Sequence, residues 1–277
     1  MKIPFVKMHG LGNDFVLLDQ RAQHYGLAPA QIAWLADRRF GIGCDQLLSL
    51  ETPRAAAAAV GYRVYNADGS SAEHCGNGVR CVARYLQQRG EARDGTVLVE
   101  IGEEIFELSL LADGQVRVDM GRPRFSPADI PLVVNSEAER YALSFEGEAR
   151  HFGAVSMGNP HAVFEVESTA TAPLASLGAA LQDHALFPRR VNVGFMQVLA
   201  PERIRLRVFE RGVGETNACG TGACAAVAVG RRWRRLAPQV VVELRGGELT
   251  IAWDGDPQHG LWMTGPATFV FEGNIEL

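Results

Sequence analysis

Two cysteines stand in the same local setting, far apart in the chain. Cys75 opens Cys75-Gly76-Asn77-Gly78, and Cys219 opens Cys219-Gly220-Thr221-Gly222. Each follows a strand-like segment and precedes a helix-like one. Ile204-Arg205-Leu206-Arg207-Val208-Phe209 alternates apolar and charged residues, the period of a half-buried strand. Ala225-Ala226-Val227-Ala228-Val229 suits a buried helix. Val64-Tyr65-Asn66 and Val79-Arg80-Cys81-Val82-Ala83-Arg84-Tyr85-Leu86 take the same places around Cys75. Both cysteines therefore fall where a helix begins, followed by glycines that leave backbone N–H groups open to a ligand. Such a helix start attracts anions and is expected to favour thiolate over thiol.

These residue types suggest a definite chemistry. A small carboxylate between the two helix starts would be bound by N–H groups from both sides. Its α-carbon would then have one sulfur on each face. A thiolate on one face removes a proton and a thiol on the other delivers one, which inverts the centre. The α-proton of an amino acid is a very weak acid, so the site must exclude water and aim donors at the developing charge. Such a reaction requires no cofactor and no metal, and neither is expected. Only Lys2 and Lys7 are present as Schiff-base lysines for pyridoxal. No glycine loop has the GxGxxG form of a dinucleotide site. No CxxC pair suggests zinc, and the spacings of Cys75 to Cys81 and Cys219 to Cys224 do not share a helix face.

The elements that position the cysteines recur. Cys219 stands 144 positions after Cys75, and Glu210 stands 144 after Asn66. Gly158-Asn159 before His161 parallels Gly12-Asn13 before Phe15, and Asn192 takes the place of Gln46. Val240-Val241-Val242-Glu243 parallels Val97-Leu98-Val99-Glu100. The spacing is too long for a solenoid and indicates two copies of one domain. Residues 1–119, completed by 265–277, and residues 120–264 are the expected domains. Each half is mostly strands plus one helix with little polar surface, and such a helix is buried. The expected class is α+β: two pseudo-symmetric domains, each a curved, mostly antiparallel sheet or barrel wrapped around a central helix. Pro29 to Arg39 is expected to form a further helix.

Composition sets the outer bounds. At 277 residues, with 47% apolar and 21% charged residues, the chain is an ordinary globule of one or two domains. A net charge of −5 gives no electrostatic case for nucleic acid or an anionic membrane. Five cysteines argue against a disulfide framework. No apolar run reaches spanning length and the start resembles a strand, so a cytoplasmic location is the expectation.

With these residues in place, the chain resembles the diaminopimelate epimerase family over essentially its whole length. Met8-His9-Gly10-Leu11-Gly12-Asn13-Asp14-Phe15 is similar to the family's opening signature. Cys75-Gly76-Asn77-Gly78 with Arg80-Cys81, and Glu210-Arg211-Gly212 through Cys219-Gly220-Thr221-Gly222-Ala223-Cys224, are similar to its two active-site signatures; Gly158-Asn159-Pro160-His161 also fits. The resemblance implies a pyridoxal-independent two-base epimerase that interconverts LL- and meso-diaminopimelate in lysine and peptidoglycan precursor synthesis. Cys75 and Cys219 would be the acid/base pair. His161, near Cys75, and Glu210, near Cys219, would tune the thiols. Gly76, Asn77, Gly220 and Thr221 would hold the reacting carboxylate, with Asn13 and Gln46 close to the reacting centre. Asn66, Asn159, Asn192, Glu210 and Arg211 would read the distal amino and carboxylate groups. The resemblance also implies a homodimer, with Phe271 where the family often has tyrosine, and Cys44 where it more often has alanine. Two other readings compete. A proline or hydroxyproline racemase of the same architecture would not need the distal readers. An amino-acid binding or redox-sensing protein would bind without exchanging the α-proton.

Overall fold

The computed structural model describes residues 1–72, 76–102 and 104–277. Cys75, the first of the two expected reacting thiols, lies outside the described residues. In chain order the elements are β1 (Lys2–Gly10), β2 (Asn13–Asp19), α1 (Pro29–Ala36), β3 (Gln46–Glu51), β4 (Val60–Asn66) and α2 (Gly76–Gln88). Next come β5 (Thr96–Ile101), β6 (Glu104–Leu110), β7 (Val116–Asp119), β8 (Tyr141–Phe145), β9 (Glu148–Ser156) and β10 (Pro160–Glu165). They are followed by α3 (Leu174–Gln182), β11 (Asn192–Ala200), β12 (Arg203–Glu210), β13 (Gly214–Glu215) and α4 (Gly220–Arg232). The last are β14 (Gln239–Leu244), β15 (Gly247–Ala252), β16 (Trp262–Gly265) and β17 (Thr268–Glu276). Contacts divide the chain into two compact units, Met1–Val118 with Gly265–Leu277, and Asp119–Thr264.

In the first unit β1 lies between β2 and β17, antiparallel to both. The turn from β1 to β2 has only two residues, Leu11 and Gly12, at φ 57° and 81°. Positive φ at both positions is what a type I′ hairpin requires, and it suits the twist of the strands. This turn delivers Asn13 at the head of β2. β2 pairs in parallel with β3, Phe15 opposite Gln46, and β3 pairs antiparallel with β4, Gln46 opposite Asn66. Two of the expected site residues are thereby cross-strand neighbours. Helix α2 packs on β1, β2, β5 and β6. Contact with strands from both ends of the unit is the wrapped arrangement expected of a helix whose Val79, Val82, Ala83 and Leu86 are all buried.

Helix α1 covers the outer face of β1 to β3, where Ile32 and Leu35 join Ile3, Val16, Leu18 and Leu47. It ends at Ala36, earlier than the expected Arg39. The Asp37 carboxylate accepts the N–H groups of Arg39 and Phe40. This local turn competes with the helix ladder, and the chain doubles back so that Ile42 and Gly43 both donate to Leu35 O.

The second unit repeats the ladder. β10 pairs in parallel with β11, His161 opposite Asn192, and β11 pairs antiparallel with β12, Val193 opposite Phe209. Helix α4 packs on β9, β10, β11, β12 and β15. Its inner turns carry only Ala, Val, Gly and Cys, all buried. Small side chains let strands approach the helix on every side. The fold class is α+β. Among the described residues, no helix is long and apolar enough to cross a membrane.

Candidate active site

Cys219 is the N-cap residue of α4, in extended backbone at φ −119° and ψ 107°. The chain arrives from β12, which ends at Glu210, and turns back through β13, with Glu210 opposite Gly214. Cys219 is buried, 4% exposed. Its Sγ lies 3.2 Å from Oε2 of Glu210 and 3.6 Å from Oγ1 of Thr221. A Cβ at position 222 would come within 3.0 Å of Val208 and 3.2 Å of the Cys219 sulfur. The glycine after Thr221 is therefore what allows the first turn of the helix to sit this close to its own cap.

The helix start alone favours thiolate, but two larger effects oppose it here. Burial pushes the Cys219 thiol well above its ordinary value, and the negative charge of Glu210 pushes it further. The Thr221 hydroxyl and the Gly222 N–H pull the other way and are outweighed. The expectation of a thiolate at Cys219 is thus corrected: burial and the Glu210 charge favour the thiol, which donates its proton to the Glu210 carboxylate. A thiol hydrogen-bonded to a carboxylate can deliver a proton. It can also become a base by passing that proton to Glu210.

His161 connects to the same sulfur indirectly. Its Nε2 lies 2.8 Å from Oδ1 of Asn159, and Nδ2 of Asn159 donates to Oγ1 of Thr221 at 3.4 Å. Because the amide oxygen can only accept, Nε2 of His161 carries a proton and donates it. Burial pushes this imidazole down to about 3, with the Arg211 charge adding to the effect. It is neutral at ordinary pH. Asn192 braces the strand end nearby: Nδ2 donates to Pro160 O at 3.0 Å, and Oδ1 accepts the Arg211 N–H at 2.9 Å. The structure thus brings His161, Asn159, Asn192, Glu210, Arg211, Cys219, Gly220 and Thr221 together in one unit.

The first unit assembles the others. Nδ2 of Asn77, in the first turn of α2, donates to Oδ1 of Asn13 at 3.2 Å, and Asn13 donates to Asp45 at 3.0 Å. Gln46 donates to Oδ1 of Asn66 at 3.2 Å, and Asn66 donates to Ser70 at 3.1 Å. Gly76 and Asn77 open α2, so their N–H groups belong to the first helical turn, which has no intrahelical acceptors. Phe271 lies apart from these residues on β17, half exposed, with its ring 5.9 Å from Phe5 in an edge-to-face contact.

Three contributors were given no role from the sequence. Arg80 is fully buried, and its guanidinium donates to Gly76 O, Asn77 Oδ1 and Pro266 O, which fixes the start of α2. Asp45 holds both Asn13 and the Asp14 N–H. The Thr216 hydroxyl donates to Oε1 of Glu210. The signal for Arg80 was present: a charged residue one turn into an otherwise apolar helix must either reach solvent or satisfy buried acceptors. Nothing comparable marks Thr216.

The diaminopimelate epimerase family model matches residues 5–126 and 153–270. The chain is 53% identical to a diaminopimelate epimerase of Alkalilimnicola ehrlichii over the full length of both proteins. It is 55% identical to one of Halorhodospira halophila, covering 99% of this chain and 95% of the relative. Among solved structures, a hydroxyproline epimerase from Agrobacterium vitis superposes with a TM-score of 0.71 at 15% identity, covering 99% of this chain and 92% of that one. That likeness concerns the fold alone. On the family match and the full-length identities, this chain belongs to the diaminopimelate epimerase family.

Proposed function

We propose that the protein is an isomerase that interconverts LL-2,6-diaminopimelate and meso-diaminopimelate without a cofactor, in lysine and peptidoglycan precursor synthesis. The observation that carries this reading is the Cys219 thiol at a helix start, donating to Glu210, in a chain of this family. In the reaction, one cysteine removes the α-proton as thiolate while the other supplies a proton to the opposite face. Each turnover moves one proton off the carbon and one onto it, and the two sulfurs exchange protonation states. Cys219 is one of the pair and Cys75 the other. Glu210 takes and returns the Cys219 proton; His161 is proposed to tune Cys75. The N–H groups of Gly76, Asn77, Gly220 and Thr221 hold the reacting carboxylate. Asn13 and Gln46 sit beside the reacting centre. Asn66, Asn159, Asn192, Glu210 and Arg211 recognise the distal end, where a guanidinium suits a carboxylate.

Residues 1–119 with 265–277, and residues 120–264, are proposed as the two domains of this enzyme, in the cytoplasm. A homodimer is proposed through β17, where Val270 and Phe271 stay 54% and 51% exposed. Large apolar residues left exposed next to one another suit a partner surface. Sedimentation of the wild-type protein and of Phe271→Asp tests this: the variant should shift towards monomer.

The decisive experiment is incubation of the reduced protein with LL-diaminopimelate in D₂O, with no added cofactor. Deuterium at the α-carbon of meso product supports the reading. Exchange with proline or hydroxyproline but not diaminopimelate would move the chain to the racemase branch. Binding without exchange would leave a binding protein.

A further inference from the structure

Glu210 serves Cys219 only while one of its oxygens is held at the sulfur. A glutamate side chain loses considerable rotamer entropy on being fixed, so a partner must offset that cost. The Thr216 hydroxyl is such a partner. It donates to Oε1 of Glu210, which leaves Oε2 as the oxygen that meets Sγ at 3.2 Å.

Thr216 is itself well held. Its N–H donates to Val208 O at 3.4 Å. The preceding residue, Glu215, is gripped through both oxygens by Arg207, at 2.7 Å and 2.9 Å, and Arg207 also donates to Thr169 O at 2.7 Å. Arg245 reaches the same Glu215 carboxylate at 3.3 Å. The following residue, Asn217, accepts the Gly246 N–H at 2.9 Å. The turn between β12 and α4 is thus pinned on both sides of the Thr216 hydroxyl.

We propose that Thr216 is a positioning residue for the reaction, holding the Glu210 carboxylate in the orientation and the ionised state that Cys219 requires. This rests on the reading of Cys219 as a reacting thiol. A hydroxyl that donates to a carboxylate favours its charged form. Among the described residues, the titratable groups at that carboxylate include Cys219 from α4, and Arg211 follows next in the chain. Beyond the turn lies Glu215 with its Arg207 and Arg245 partners.

The test compares Thr216→Val and Thr216→Ser with the wild type, using Glu210→Gln as reference. Loss of a hydrogen bond to a charged group should lower kcat by about tenfold to a hundredfold in Thr216→Val, with KM little changed. Thr216→Ser should restore it. Independently of turnover, the rate of iodoacetamide labelling of the Cys219 peptide is followed against pH. The Cys219 ionisation step, which Glu210→Gln should move to lower pH, should move part of the way in the same direction in Thr216→Val and return in Thr216→Ser. An unmoved step, or a serine variant that behaves like valine, overturns the proposal. Thr216→Ala replaces the valine variant if that one fails to fold. A wild-type protein without epimerase activity would remove the proposed reaction yet leave the labelling step readable, so the two failures are distinguishable.

Discussion

The Glu210 carboxylate and the Cys219 thiol form a directly bonded pair, Oε2 to Sγ at 3.2 Å, at the mouth of helix α4. One side of the pair raises the other: the carboxylate charge disfavours the thiolate. Glu210→Gln keeps the shape and removes that charge. The Cys219 thiol should then ionise at lower pH than in the wild type, though still above an ordinary thiol because burial remains. Turnover should nevertheless fall, by about 10²- to 10⁴-fold, since an amide cannot take the proton. Peptide-resolved alkylation against pH and an isomer assay would measure both. A thiol pKa that stays put would contradict the electrostatic account.

His161 should not titrate in the working range. Burial, and then the Arg211 charge, push it from 6.5 down to about 3. The folded state holds it neutral, while the unfolded chain takes up a proton below 6.5. Its contribution to stability is therefore present above that value and lost as pH falls towards 3, with a slope of about 1.4 kcal/mol per pH unit. The His161 ring signal in NMR should stay constant between about pH 8 and 4.5. An inflection near 6.5 would contradict the burial-driven assignment.

Asp14 carries the opposite sign. Burial alone would raise its carboxyl, but hydrogen bonds and charge from Arg38 and Lys7 more than reverse this and hold it well below its ordinary value. The stability it contributes is present above the unfolded value of 3.8 and is lost as pH falls through the folded one. Lys7 is buried, with its Nζ 2.6 Å from Asp14. Asp14→Asn leaves that ammonium without its counter-charge and should cost about 1–3 kcal/mol at neutral pH. Urea denaturation should show the gap to wild type narrowing as pH is taken below about 4.

Gly178 marks where α3 meets β12. A Cβ there would lie 2.5 Å from Cγ of Phe209, the residue before Glu210. Phe209 cannot retreat without moving the strand end. Gly178→Ala should therefore destabilise the protein by about 1–3 kcal/mol, and should lower turnover as well, because Glu210 shifts with its neighbour. A melting curve and a kcat measurement on the same sample would test both. An unchanged melting temperature would mean that the helix accommodates the methyl group.

Much of this site was legible because its frame is written twice. The glycines after Cys75 and Cys219 announce helix starts, and α2 and α4 do begin at Gly76 and Gly220. The placing of Asn192 with Gln46 follows the ladders, since each stands opposite a residue of a parallel neighbour. What stayed hidden depends on side-chain direction or weak local signals. The protonation of Cys219 turns on burial and on one Glu210 oxygen, neither of which a helix-start motif encodes. Helix α3 is short, lacks a capping side chain at Pro173 and carries Gly178 in its middle. The β8–β9 hairpin turns through Glu146 and Gly147 at φ 53° and 80°, without the Asn-Gly or Asp-Gly pair that usually marks such a turn.

The pairing of β1 with β17 also bears on how the chain is made. Strand β1 leaves a ribosome long before β17 does, so its β17 edge stays open until residues 268–276 have emerged. By then Asp119–Thr264, a continuous stretch, is already available to fold. The order of birth and the order of completion are therefore reversed, with the second unit finishing before the first. For the whole interval the nascent first unit presents a bare strand edge, a template for pairing with another chain. Crowded polysomes and overexpression would penalise this protein at that edge, and a truncation before Thr268 would make the exposure permanent.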